Sequence, residues 1–299
     1  MNTLAVKILP VLLIFALGII LRRINLFTEE NADSFQKLVF YVALPASILV
    51  SITKIKLSLN VIYLPITAAV IIIISFFAAS MVGRFFNLSR PAFGVFLVGS
   101  MIMNTGFTFP FFIAVYGQEG FARASLFDFG NGLLVLTFVY YIAVKYGSNE
   151  GPKVLLKKLM TSSPLWALFA ALIMNLTHIE LPVVLNDLFK ILGDMLTPLF
   201  MLSLGIYFNL RILNLKAVIA GIALRMFLGL LLGFIFVNLF KINGLDRQIV
   251  LISSSAPVGF NTLTFATMEN LDKEFAASLV SNSILLGIIF TPLLIFFLS

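Results

Sequence analysis

Cysteine is absent from the 299 residues, histidine occurs once, at His178, and charged side chains make up only 11% of the chain. Each shortage closes a class of function. Without cysteine there are no disulfides and no thiolate metal sites. The single histidine sits among polar residues between two apolar blocks and reads as a loop residue, so no metal site is expected. No serine nucleophile has an available histidine partner, and no Gly-rich phosphate loop is followed by a lysine. No catalytic residue is therefore expected, the chain is not read as an enzyme, and any energy source is an ion gradient or the substrate's own gradient. A soluble domain carries roughly 25% charged residues, more than twice the share found here.

What is abundant is apolar. Hydrophobic residues reach 61% and the mean hydropathy is +1.09, more apolar surface than a water-soluble fold of this length can hide. These residues arrive in blocks about 20 long, the length that crosses a ~30 Å hydrocarbon layer at 1.5 Å rise per residue. A porin-like barrel would alternate instead. The blocks predict ten spans, at about 4–21, 35–52, 60–82, 92–115, 124–145, 164–177, 184–208, 217–240, 248–268 and 276–298. The first has only Lys7 ahead of it and no small-residue cleavage pattern behind it, so it reads as a span and not as a cleavable signal.

The net charge of +7 comes from basic residues scattered over short loops, a pattern of topology and not of nucleic-acid binding. With the N-terminus outside, twelve lysines and arginines fall on the cytoplasmic side, among them Arg22, Arg23, Arg84, Arg90 and Lys145, against seven on the other. That bias expects a multi-pass protein of the cell membrane with both termini extracytoplasmic.

The longest polar stretch, with Lys153, Lys157 and Lys158, divides the spans five and five. It predicts a first five-helix repeat over 1–148, a basic cytoplasmic linker over 149–163 and a second repeat over 164–299. Shifting the chain by 153 positions superposes Lys37 on Lys190, Pro45 on Pro198, Gly106-Phe107 on Gly259-Phe260 and Ala124-Ser125-Leu126 on Ala277-Ser278-Leu279. An odd number of crossings in each half makes the repeats inverted, the architecture of secondary transporters with a site at mid-membrane.

The fourth and ninth spans carry the candidate site. Asn104, Thr105, Gly106 and Pro110 interrupt the fourth, and Ser254, Ser255, Pro257, Gly259, Asn261 and Thr262 the ninth. Proline removes a backbone donor and glycine costs about 1 kcal/mol relative to alanine in a helix, so both spans are expected to break. Freed backbone groups are tolerated in lipid only where they are buried in protein or line a cavity. Two broken helices that cross meet that demand, and their N-terminal ends direct partial positive charge inward. An anion is the matching ligand, with Asn104 and Asn261 as amide donors and Thr105, Ser254, Ser255 and Thr262 as hydroxyl partners. A plain kink healed by hydroxyl back-bonding is the alternative.

Charged groups deep in spans are the ion-coupling or gating candidates. Asp128, with Asn131 on the same face, is either a protonatable group or cation ligand, or a helix-end carboxylate near Arg123. Lys190 and Asp194, with Asp187, are spaced to pair along one face, as a static pair or a gate. Arg225 lies two turns into the eighth span, and its long stem is expected to snorkel to the cytoplasmic surface, with substrate binding the alternative.

Asn104-Thr105-Gly106 through Pro110, the following Tyr116-Gly117, Pro257 with Asn261, and Pro198 through Gly205 together resemble the auxin efflux carrier family, which includes plant PIN carriers and bacterial malonate or malate permeases. Met103, Thr108 and Val258 depart from the family pattern, so the substrate does not carry over. The resemblance implies a scaffold of spans 1, 2, 6 and 7, a transport unit of spans 3–5 and 8–10, elevator-type alternating access and a homodimer. Bile acid sodium symporters and sodium/proton antiporters share the crossed helices. The antiporters concentrate carboxylates at the crossover, and none is expected there in this chain.

The function expected is thus a secondary active or facilitative carrier of small organic anions, without a resident cofactor and with a proton or sodium ion as candidate coupling ion. Its partners are that anion and the lipid bilayer. A membrane metabolite sensor that binds without moving its ligand is the alternative of another class.

Overall fold

The computed structural model describes residues 3–55, 59–147, 162–208 and 214–298, and among them every regular element is a helix. These are α1 (Thr3–Arg23), α2 (Glu29–Ile52), α3 (Leu59–Val82), α4 (Arg90–Met101), α5 (Thr105–Tyr146), α6 (Ser163–Leu176), α7 (Val183–Tyr207), α8 (Leu215–Leu239), α9 (Gly244–Ser254), α10 (Asn261–Met268) and α11 (Lys273–Leu298). Seven of them, α1, α2, α3, α5, α7, α8 and α11, are long and apolar enough to cross a membrane, and α6 is a shorter apolar helix. The basic linker expected over 149–163 lies outside the described residues but for Ser162 and Ser163.

Prolines and caps explain where the helices bend and start. In α2 a π-helical turn at Val39–Ala43 precedes Pro45, the residue that cannot donate to the preceding turn. Ser89 caps α4 by accepting the Ala92 N–H at 3.4 Å, with Pro91 in the first turn. One expected boundary moves. Helix α2 begins at Glu29, where Thr28 and Asn31 form a capping box, and not at 35. Within α5 two helices meet at Gly117, between the expected fourth and fifth spans, and the φ of 65° there suits a residue without a Cβ.

The described residues form two compact units. The first takes in 1–58, 109–125 and 161–208. In it α1 and α7 approach closely at two glycines: a Cβ on Gly18 would stand 2.9 Å from the Gly205 Cα. The Arg22 guanidinium closes that contact, donating to the Ile206 carbonyl and to Glu29, each at 2.6 Å. At the other end of α2, the Asn175 amide of α6 donates to the carbonyls of Ile52 and Ile55 at 2.8 Å and of Thr53 at 3.1 Å, covering acceptors that the helix end leaves free.

The second unit takes in 59–108, 126–160 and 209–299. Its interior is built from α4, the later part of α5 and the face of α11 that buries Phe275, Leu279 and Ser283. Small residues set the spacing: Gly130 lies against the Pro65 carbonyl within α3, and Gly287 of α11 leaves room for the Pro257 ring. Large apolar side chains stay exposed in both units, Leu13, Ile173, Phe77 and Phe297 among them, which water would penalise and a lipid phase does not.

Candidate functional site

Helix α4 ends at Met101 because Ile102 turns extended, at φ −76° and ψ 120°. Helix α9 ends at Ser254, three residues before Pro257. The two extended segments run antiparallel across each other through the bridge between Met103 and Val258. Asn104 donates its backbone N–H to the Pro257 carbonyl at 2.9 Å, and Gly259 donates to the Ile102 carbonyl at 3.1 Å. Gly259 is required by the crossing, since a Cβ there would press into the Ile102 side chain.

The remaining donors are met from neighbouring helices. Val258 N–H donates to Ser283 Oγ of α11 at 3.0 Å. Met103 N–H reaches Asn131 Oδ1 at 3.4 Å, and Asn131 Nδ2 returns a bond to the Met103 carbonyl at 3.2 Å. With Ile102 bonded to Val98 and Ala256 to Ser253, each backbone N–H of 102–104 and 256–259 has a partner, proline having none to offer. A buried amide left without one would cost about 1–3 kcal/mol.

The C-terminal ends of both short helices meet one side chain. Arg225, fully buried in a π-helical turn of α8, donates Nη1 to the Met101 carbonyl at 3.1 Å and Nη2 to the Ser254 carbonyl at 2.6 Å. These are the last residues of α4 and α9, where unpaired carbonyls and the negative dipole end face a cation favourably. The snorkelling expected of Arg225 is overturned: its guanidinium is held inside the unit by two carbonyls. Gly229, one turn on, leaves space for that contact, and Gly233 does so for the Ser254 hydroxyl.

The N-terminal ends differ from each other. At α5, Asn104 is the cap, its Oδ1 accepting the Phe107 N–H at 3.1 Å while its Nδ2 lies 3.5 Å from the Val258 carbonyl. Thr105 donates its hydroxyl to Asp128, whose Oδ1 also accepts from Asn131 Nδ2 at 2.9 Å. Expecting no carboxylate at the crossover is thus corrected. Arg123 pairs with Glu119 at 2.9 Å. At α10, Asn261 is exposed and its side chain makes no hydrogen bond among the described residues, where the buried Thr262 hydroxyl is also unpartnered.

The crossover therefore gathers Asn104, Thr105, Pro257, Gly259, Asp128, Asn131 and Arg225, and Gly106 stands in the first turn of α5. Ser254 and Ser255 back-bond to Leu251 and Ile252, at 3.1 and 2.9 Å, as the healed-kink alternative expects of them. Lys190 and Asp194 belong to the other unit, and no ion pair joins them to each other or to Asp187 among the described residues. Asp194 lines a cavity of about 350 Å³ there with Lys7, Gln118 and Thr197. His178 lies in the loop between α6 and α7, beside a cavity of about 910 Å³ with Lys54, Glu180 and Asn186.

Sequence reasoning missed Ser283 and the Arg225 contacts. A signal for the latter existed: Met101 and Ser254 are themselves 153 positions apart.

The sequence profile of the family described as membrane transport protein matches residues 3–295. An uncharacterized transporter of Methanocaldococcus jannaschii is 27% identical over 282 residues, with 91% of each chain covered. One from Methanothermobacter thermautotrophicus is 26% identical, covering 96% of this chain and 95% of its own. The uncharacterized transporter YfdV of Escherichia coli K12 is 22% identical, covering 97% and 96%. With that match across nearly its whole length, the chain belongs to the membrane transport protein family, that of the auxin efflux carriers, and is a multi-pass membrane transporter and not an enzyme.

Proposed function

We propose that the protein is a secondary carrier of small organic anions, working by elevator-type alternating access around the crossing of α4–α5 with α9–α10. The observation that carries this is the antiparallel crossing itself, in which Asn104 meets Pro257, its counterpart at an offset of 153. Such a relation is what two inverted five-helix repeats produce, with ten crossings if α4 with α5 up to Gly117, α5 beyond Gly117, α6 and the α9–α10 pair each count as a span. The division of the chain supports a scaffold from spans 1, 2, 6 and 7 and a transport unit that carries the crossover. Both termini are placed outside the cell membrane by the lysine and arginine bias, and the family analogy adds a homodimer.

The anion is assigned to the N-terminal end of α10. There Asn261 is exposed and uncommitted, whereas at α5 the Asn104 oxygen is spent on its own helix and Asp128 already stands by the positive end. Counterflow of radiolabelled malonate, malate and indole-3-acetate in proteoliposomes tests it. At least one should exchange, and Asn261→Ala should abolish that exchange without altering thermal unfolding. Binding of these acids with no flux would replace the carrier with a sensor.

Asp128 also favours a second reading, a sodium/proton antiporter, by bringing a carboxylate to the crossover. Sodium-driven proton movement in the absence of any organic anion would decide for it.

A further inference from the structure

We infer that Asp128 is the coupling residue of this carrier and takes up one proton for each carboxylate moved, so that the substrate travels as an anion–proton symport. The inference rests on the anion-carrier reading and deepens it. Asp128 is only partly buried, and the two donors that reach it, the Thr105 hydroxyl and Asn131 Nδ2, converge on a single oxygen, Oδ1. Its Oδ2 has no hydrogen-bond partner among the described residues and remains open to a proton. Both donors belong to the crossover: Thr105 begins α5, and Asn131 also holds the Met103 peptide. Protonation of Asp128 is thereby joined by two bonds to the α4–α5 side of the crossing, whose Met103 pairs with Val258 on the segment that leads to the anion at α10.

Among the described residues no cation forms an ion pair with Asp128. Helix α3 carries no charged residue, and Arg225 of α8 is bound to the Met101 and Ser254 carbonyls. On its own helix Arg123 is paired with Glu119. Arg90 of α4 donates to the Lys145 carbonyl, and Glu269, just past α10, accepts from Tyr140. Asp246 and Arg247 of α9, like Lys273 and Glu274 of α11, lie in the first turns of their helices. A bare carboxylate inside a span is costly, and it repels a second anion bound at the same crossover. One proton removes both penalties, so proton and substrate each favour the other's binding.

A metal cation fits less well. Hard cations take several converging oxygens, and here Asn131 turns its NH₂ toward Asp128 because its oxygen accepts the Met103 N–H.

The test uses the full chain in proteoliposomes with the membrane potential clamped at zero, and malonate, malate and indole-3-acetate as probes. An acid-outside gradient of one pH unit should drive about tenfold accumulation of the acid that exchanges, one pH unit being worth 1.36 kcal/mol. A sodium gradient should drive none. In Asp128→Asn the pH-driven accumulation and the substrate-induced alkalinisation outside should be lost, and counterflow should lose its pH dependence. Thr105→Val, which removes one donor, should shift the pH profile of counterflow. Wild-type counterflow that ignores a pH gradient overturns the inference and leaves the carrier reading in place. The same follows if accumulation is driven by sodium, or if Asp128→Asn is silent in counterflow with its elution and thermal unfolding intact. Absence of counterflow for all three acids in the wild type overturns the carrier reading, and the inference with it.

Discussion

Asn104 donates its backbone N–H to the carbonyl of Pro257, 2.9 Å away and 153 positions further along the chain. The same offset relates Met101 to Ser254, the two carbonyls that Arg225 holds. Positions 104 and 257 are joined directly, and a perturbation at either should be felt on both segments of the crossing at once.

Arg225→Met should lower stability by about 2–4 kcal/mol, because two buried carbonyls lose their donors together. Arg225→Lys should recover only part of this, since an ammonium lacks the fork that spans two acceptors. Thermal unfolding in detergent, with wild type alongside, measures both.

Asn104 has two separable roles. Asn104→Ala should cost about 1 kcal/mol through the lost cap. Asn104→Asp keeps an acceptor for the Phe107 N–H and should unfold close to wild type. If it also transports like wild type, the Asn104 amide is not a substrate ligand.

Asn261→Asp places a negative charge on the exposed first residue of α10. Stability should hardly change, while affinity for a carboxylate falls by more than about tenfold, each factor of ten being worth 1.4 kcal/mol. Binding measured by thermal shift against ligand concentration checks it.

Gly259→Ala should destabilise by about 1–3 kcal/mol, the usual cost of forcing a methyl into a packed contact, here the Ile102 side chain. Gly18→Leu should do at least as much in the other unit, where the Leu202 carbonyl and the Gly205 Cα block a side chain. Paired unfolding scans of the two variants report on each unit separately.

In the first unit, Asn175→Ala should free three carbonyls at the end of α2. Hydrogen exchange of the peptide covering Thr53 to Ile55 should accelerate, with little effect on the segment 102–104.

The interruptions were legible in the sequence because proline, glycine and asparagine are rare inside apolar spans and here occur at matching positions. The partners of those interruptions were not. Asp128 counts as a membrane-edge residue if the fifth span is read alone, but the helix breaks at Gly117 so that the carboxylate, 23 residues on, reaches Thr105. Arg225 shows the same limit: spacing places it on a helix, and nothing local says whether its face meets lipid or the ends of α4 and α9. Ser283 accepts from Val258, yet one serine on an apolar helix looks like any other.

A gap in a helix is usually taken for a hinge. The side-chain amide of Asn131 lies against the Met103 peptide as a third strand would, giving one bond and receiving one, while Pro257 and Gly259 occupy the opposite edge. Bending there would strip several polar contacts in a setting with no water to replace them. The interruption is better seen as a rivet than a joint, so whatever flexes during a transport cycle should flex elsewhere and carry the crossing along intact.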